Sequence, residues 1–182
     1  MGLLGGSFDP IHYGHLRAAE WAKEAFGLHE VRLMPARQSP FKGPARASDG
    51  DRVAMLNLAT ADNPVIGVET CELLREAPSY TIDTLRALQD RSPDAHFTLV
   101  LGSDAAADVE LWREIAQIRR LAEIRVLGRP GDRVTPGQIT ETFEGLAISS
   151  TEIRTLIKGG HSIRYLTPEA VRQYIEEKGL YK

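Results

Sequence analysis

The chain has 182 residues, a single cysteine, 42% hydrophobic residues and a formal net charge of −3. That length fits one domain, residues 1–182, with an apolar core that needs no disulfide or structural metal. The mild charge excludes the electrostatic footprint of broad nucleic-acid binding and a polybasic membrane patch, and no stretch approaches the roughly 20 apolar residues of a membrane span.

The first ten residues, MGLLGGSFDP, lack a basic region and run straight into a turn. No signal peptide is expected, and a cytoplasmic location is. GLLG (2–5), VRLMP (31–35), VIGVE (65–69), HFTLVLG (96–102) and EIRVLG (123–128) are short runs rich in Val, Ile or Leu, stopped by Gly, Pro or a polar segment. They read as strands buried on both faces. Between them lie helical patterns. Leu16, Ala19, Ala22 and Phe26 share one helical face, with Gly27 as the stop. Asp51–Ala61, Thr81–Arg91 and Glu110–Leu121 repeat the pattern. Strands alternating with helices predict an α/β fold: a Rossmann-like, doubly wound parallel sheet with helices on both faces.

Two further helices are signalled near the C-terminus, over Ser150–Ile157 and Pro168–Lys178. Thr167 is the expected cap of the second, Pro168 its first helical residue, Glu169 an acid in its first turn and Gly179 its stop. Arg37–Gly50 and Arg129–Gly137 read as loops, and a long loop in a compact domain is often a substrate lid. Cys71 follows a strand with no motif around it. It reads as a small, half-buried residue rather than a nucleophile.

In such a sheet, ligands bind at the carboxyl ends of the strands, near the switch point. The first strand ends at Gly5-Gly6, and GGSFDPIHYGHL (5–16) follows directly. Three readings of His12 and His15 compete. A zinc site lacks further ligands, because His29, His96, His161 and Cys71 have no ligand spacing to the pair. A buried histidine bonded to a backbone carbonyl is a second reading. The third is a phosphate cradle. Gly5 and Gly6 let a ligand approach the backbone, Asp9-Pro10 turns into a helix start, and both imidazoles fall near a helix N-terminus that favours anions. The stretch is neither a P-loop nor a GxGxxG fingerprint.

ISSTEIR (148–154) reads as a second helix start, with Ser149 and Glu152 as a capping box. Ser150 and Thr151 add hydroxyls there, and Arg154 lies on the same face. Hydroxyls, free N–H groups and a guanidinium make a polyphosphate site, whereas the plainer reading is a capped surface helix.

Together, His12-Tyr13-Gly14-His15 and Ile148–Arg154 resemble the HxGH and ISSTxxR signatures of a nucleotidyltransferase superfamily. Within it the chain closely resembles the bacterial nicotinate-nucleotide adenylyltransferases. GGSFDPIHYGHL, PSYTIDTL (78–85), GSD (102–104), Trp112, Arg129-Pro-Gly and YI…GLY (174–181) carry the likeness. The resemblance implies adenylyl transfer from ATP to nicotinate mononucleotide, giving the dinucleotide and pyrophosphate. It implies that Gly6, Ser7, Phe8, His12 and His15 bind ATP, that Gly102 and Asp104 support the nucleotide at a strand end, and that Ser150, Thr151 and Arg154 hold phosphates. Tyr80, Thr81, Trp112 and Arg129 would meet the mononucleotide, and Lys42 the reacting phosphates. His12, His15, Lys42 and Arg154 would be the catalytic set, with Mg²⁺ carried by the ATP phosphates. Ser39-Pro40-Phe41-Lys42 departs from the family's Pro-Pro-His-Lys run, so Lys42 would carry more of that loop's contacts. The short 130–147 segment would alter a surface or homo-oligomer contact. Pantetheine-phosphate and nicotinamide-mononucleotide adenylyltransferases are the nearest rival readings. A non-catalytic ATP-binding regulator is the rival from another class.

Overall fold

The computed structural model describes residues 1–38, 43–128 and 139–182. Six strands form one sheet: β1 (Gly2–Gly6), β2 (Val31–Pro35), β3 (Ile66–Val68), β4 (Phe97–Gly102), β5 (Ala122–Gly128) and β6 (Ile139–Thr142). Their order is β3-β2-β1-β4-β5-β6, and every neighbouring pair is parallel. Among the described residues the α-helices are α1 (Tyr13–Ala25), α2 (Asp49–Thr60), α3 (Thr81–Arg91), α4 (Ser103–Ala107), α5 (Ile115–Leu121), α6 (Ser150–Lys158) and α7 (Glu169–Lys178).

The period of two along a strand explains the layering. Leu4, Leu33 and Val100 point to one face and join Ala19 and Ala22 of α1, Met55 and Leu56 of α2, Ile153 of α6, and Val171 and Ile175 of α7. Their chain neighbours Leu3, Met34 and Leu99 point to the other face and join Ile82, Leu85 and Leu88 of α3 and Ile118 of α5. Both faces of the central strands are therefore apolar, as the unbroken Val/Leu/Ile runs predict. Each fully buried Leu or Ile contributes about 1.5–3 kcal/mol, so these two layers outweigh the exposed ion pairs that decorate the surface.

Strands β1, β2 and β3 run outward in one direction, and β4 returns to the other side of β1. The sheet therefore opens a crevice between the carboxyl ends of β1 and β4, at Gly6 and Gly102.

Several expectations are corrected. The single helix expected over Glu110–Leu121 is a 3-10 turn at Val109–Leu111 followed by α5, because Glu114 adopts a left-handed backbone with φ of 55°. A short helix not expected from the sequence, α4, follows directly on β4. Strand β6 was also not expected: ITET has no apolar run, and it pairs at the sheet edge against Arg125–Gly128. The helix expected over Asp51–Ala61 starts two residues earlier, at Asp49, because Ser48 caps it by accepting from Asp51 N–H at 3.1 Å. Thr167 does not cap α7. Pro168 is the capping residue, and the Thr167 hydroxyl donates instead to the Ile11 carbonyl at 2.9 Å. The 129–138 stretch lies outside the described residues. Cys71 is buried, and burial together with the neighbouring Glu69 carboxylate pushes its thiol up to about 11, which suits the reading that it is no nucleophile.

Candidate active site

The GGSFDPIHYGHL segment runs from the end of β1 into α1. Gly6 closes β1, and a Cβ there would lie 3.0 Å from the Phe8 ring. Phe8 is buried with φ of 47° and meets the His15 ring edge-on, centroids 5.0 Å apart. The Ser7 carbonyl accepts from Arg52 at 2.8 Å, and that guanidinium is fully buried beneath the loop.

His12 is the N-cap of α1, and its Nδ1 accepts from the His15 backbone N–H at 3.3 Å. A neutral imidazole that accepts at Nδ1 carries its proton on Nε2, and so donates from that atom. The His12 and His15 rings stack, with centroids 3.6 Å apart and planes 23° apart. Stacked rings do not converge their lone pairs on one ion. Among the described residues, no group of three or more His, Cys, Asp or Glu is placed to hold a metal. The geometry thus favours a pair of hydrogen-bonding imidazoles over a zinc chelate. The reason for Gly14 is also plain: a Cβ would sit 2.9 Å from His12 Nδ1 and 3.5 Å from the Ile148 carbonyl.

The second motif comes to the same place. Ser149 caps α6 by accepting from Glu152 N–H at 3.1 Å, as the capping box predicts. Ser150, the first residue of α6, donates to the Pro10 carbonyl at 2.8 Å. Arg154 donates to the Asp9 carbonyl at 2.7 Å and to the Thr151 hydroxyl at 3.1 Å. The N-termini of α1 and α6 are therefore laced together, with two imidazoles and one guanidinium between them. Two helix starts facing one crevice supply N–H groups and positive dipole ends to an anion.

Gly102 ends β4 and caps α4, and Asp104 lies exposed in its first turn. Because β4 neighbours β1, both sit across the crevice from Gly6. A Cβ on Gly102 would meet nothing within 4 Å, so that side of the crevice is open.

The other candidate residues form a second cluster. Tyr80 caps α3 and Thr81 is its first residue. The Arg113 guanidinium lies 4.9 Å from the Tyr80 ring centroid. Trp112 ends the 3-10 turn, its N–H donating to the Val109 carbonyl at 3.1 Å, and it borders the same apolar layer as Tyr80. Behind them, Glu72 is buried and accepts from the Thr84 hydroxyl at 2.8 Å. Lys42 and Arg129, both expected in the site, lie outside the described residues.

Three contributors were not recognised in the sequence. From the sequence Asp9 is a turn residue beside Pro10. It is 4% exposed, and its carboxylate accepts from Arg46 N–H at 2.7 Å, Ala47 N–H at 3.0 Å and the Tyr181 hydroxyl at 2.8 Å. Arg52, to which the sequence attaches no role, anchors the Ser7 carbonyl. Thr167 anchors the Ile11 carbonyl. Only the placement of Asp9 inside the glycine-histidine motif was a signal; the others act across the fold.

The family model described as cytidylyltransferase-like matches residues 3–156. A "Probable nicotinate-nucleotide adenylyltransferase" of Roseiflexus sp. (strain RS-1) is 43% identical, with 100% of this chain and 98% of the relative covered. One of the same name from Geobacillus thermodenitrificans is 42% identical, over 100% of this chain and 85% of the relative. Among solved structures, the Plasmodium falciparum nicotinic acid mononucleotide adenylyltransferase complexed with NaAD superposes with a TM-score of 0.80 at 21% identity, covering 99% of this chain and 96% of that one. At that identity the likeness speaks for the fold. With the matched motifs and full-length identity above 40% to curated relatives, the chain belongs to the nicotinate-nucleotide adenylyltransferase family, within the cytidylyltransferase-like group.

Proposed function

We infer that this chain, acting as one nucleotidyltransferase domain over residues 1–182, transfers the adenylyl group of ATP to nicotinate mononucleotide in NAD biosynthesis. An oxygen of the mononucleotide phosphate attacks the α-phosphorus in line. The bond from that phosphorus to the bridging oxygen breaks, and pyrophosphate leaves with the bond's electrons. The nucleophile is already largely dianionic at neutral pH, because the second pKa of a phosphate monoester is about 6. No general base is needed. The difficulty is the approach of one anion to another, so catalysis is positioning and charge neutralisation.

The residues suit those tasks. His15 donates to the α-phosphate as its charge grows. His12 caps α1 and presents Nε2–H toward the same phosphates. Ser150, Thr151 and Arg154, at the start of α6, hold the β- and γ-phosphates and the departing pyrophosphate. Gly6, Ser7 and Phe8 line the nucleotide on the β1 side, and Gly102 and Asp104 on the β4 side. Tyr80, Thr81 and Trp112 receive the pyridine ring and its carboxylate, and the family resemblance adds Arg129, outside the described residues, to the mononucleotide's ligands. Lys42 neutralises the reacting phosphates. Mg²⁺ fits as a companion of the triphosphate. Asp9, the buried carboxylate beside Arg154, already spends both oxygens on hydrogen bonds, so ATP and water would hold the ion. When bound there it withdraws charge from the leaving pyrophosphate.

One observation carries this reading best: Ser150 and Arg154 bond directly to the Pro10 and Asp9 carbonyls, closing two phosphate-binding helix starts on one crevice. The test is pyrophosphate release with ATP and Mg²⁺, comparing nicotinate mononucleotide, nicotinamide mononucleotide and phosphopantetheine. The first should be strongly preferred. Preference for another acceptor would overturn the Tyr80–Trp112 assignment, and release with none would favour an ATP-binding regulator.

A further inference from the structure

We propose that Tyr181 is a positioning residue for adenylyl transfer, acting through the Asp9 carboxylate to set where Arg154 presents its guanidinium. The proposal rests on Arg154 holding the triphosphate.

The chain of contacts is short. Tyr181 donates to Asp9 Oδ1 at 2.8 Å. Arg154 grips the same residue twice: it donates to the Asp9 carbonyl at 2.7 Å and lies 4.0 Å from Asp9 Oδ2. The Asp9 carboxylate is buried, and the backbone N–H groups of Arg46 and Ala47 also donate to it, at Oδ2 and Oδ1. Its orientation is therefore fixed by three donors from outside the motif, one of which is Tyr181. If that donor is removed, a desolvated carboxylate is left to recover the bond elsewhere, and the partly exposed Arg154 is the cation beside it.

The backbone is built to deliver this hydroxyl. Gly179 ends α7 with φ of 61°, and Tyr181 itself adopts φ of 67°, a conformation rare for an L side chain. Two left-handed residues within three turn the chain back from α7 toward β1. Burial, and then the Asp9 charge, hold the phenol well above its ordinary pKa, so it stays a donor at any working pH. Residues 163–181 also bind the motif through its main chain: Leu166 accepts from Tyr13 N–H at 3.0 Å, and Thr167 donates to Ile11.

The same helix carries a matched control. Tyr174 donates to Asp51 at 2.8 Å, the same chemistry at the same distance, but Asp51 takes a further bond from the Ser48 hydroxyl, at the N-cap of α2, where Asp9 instead faces Arg154.

The experiment measures pyrophosphate release against ATP concentration for the natural chain, Tyr181→Phe, Arg154→Lys, the double variant and Tyr174→Phe, with melting temperatures alongside. Tyr181→Phe keeps the ring and should fold. Its kcat/KM for ATP should fall about ten-fold, with KM for the mononucleotide unchanged. In the Arg154→Lys background the same change should cost under about two-fold. Tyr174→Phe removes the same hydroxyl chemistry from a less buried carboxylate, and should keep its kcat/KM within about two-fold. An unchanged Tyr181→Phe, or an equal loss in both backgrounds, would overturn the proposal. If Arg154→Lys were as active as the natural chain, the reading of Arg154 as the triphosphate ligand would fail, and the proposal with it.

Discussion

The two halves of the crevice are built differently. The phosphate half, around His12, His15 and Arg154, is held by partly or fully buried hydrogen bonds to main-chain carbonyls from segments far away in sequence. The acceptor half, around Tyr80, Thr81 and Trp112, is held by exposed charge pairs. Arg86 pairs with Glu114, and Arg113 lies near Asp83 and over Tyr80. Its backbone is a 3-10 turn and a left-handed residue instead of a continuous helix. Buried bonds fix a geometry to fractions of an ångström, whereas solvated pairs rearrange at little cost. The difference matches the tasks: in-line transfer needs fixed donors, and an acceptor pocket gains from adjusting around its ligand.

If this contrast is right, the largest effect belongs to the phosphate half. His15→Ala should lower turnover by roughly 10²- to 10³-fold with little change in melting temperature. Near-normal turnover in a folded variant would break the assignment. Gly14→Ala sharpens the contrast through stability. Within most helices Ala is favoured over Gly by about 0.5–1 kcal/mol. Here the added methyl would push against His12, which lies 2.9 Å away, and displace the cap. Chemical denaturation should show a net loss of about 1 kcal/mol, reversing the usual sign. In the acceptor half, Trp112→Ala should raise KM for the mononucleotide about ten-fold while leaving kcat nearly unchanged. An unaltered KM would remove the stacking role.

The smallest effect concerns Glu72, behind the acceptor half. Burial pushes its carboxyl above the ordinary 4.5, against the opposing bonds from Thr84 and Ser79 and the nearby Arg75 charge. A carboxyl whose pKa is higher folded than unfolded binds more protons in the native state. Its contribution is fully present below 4.5 and is lost as pH rises through the folded value. Relative to Glu72→Gln, the natural chain should therefore lose stability as pH rises above about 4.5. A difference curve that is flat or rises with pH would contradict this.

The same contrast explains what could be read from the sequence. β2 and α3 match their expected ranges because their patterns are local: five residues stopped by Pro35, and a helical face ending at Arg91. The HxGH and ISSTEIR segments were legible for the same reason, since caps and glycines act within a few residues. What was missed depends on distant partners. Nothing near Thr167 announces that its hydroxyl serves Ile11 and not its own helix. Nothing near Arg52 announces a buried guanidinium under Ser7. The split of 110–121 turns on Glu114, which enters a left-handed conformation although its side chain carries no such preference. β6 carries no apolar run to announce it, and among the described residues it pairs with β5 alone.

The bond from Ser150 to Pro10 joins residues 140 apart, and that from Arg154 to Asp9 joins residues 145 apart. Closing loops of that length is entropically costly and comes late in folding. A nucleotide that needs both helix starts can recognise only a chain that has already closed them. ATP should then act on the exit from the native state and not on the road toward it: it should slow unfolding in proportion to its occupancy and leave the refolding rate untouched.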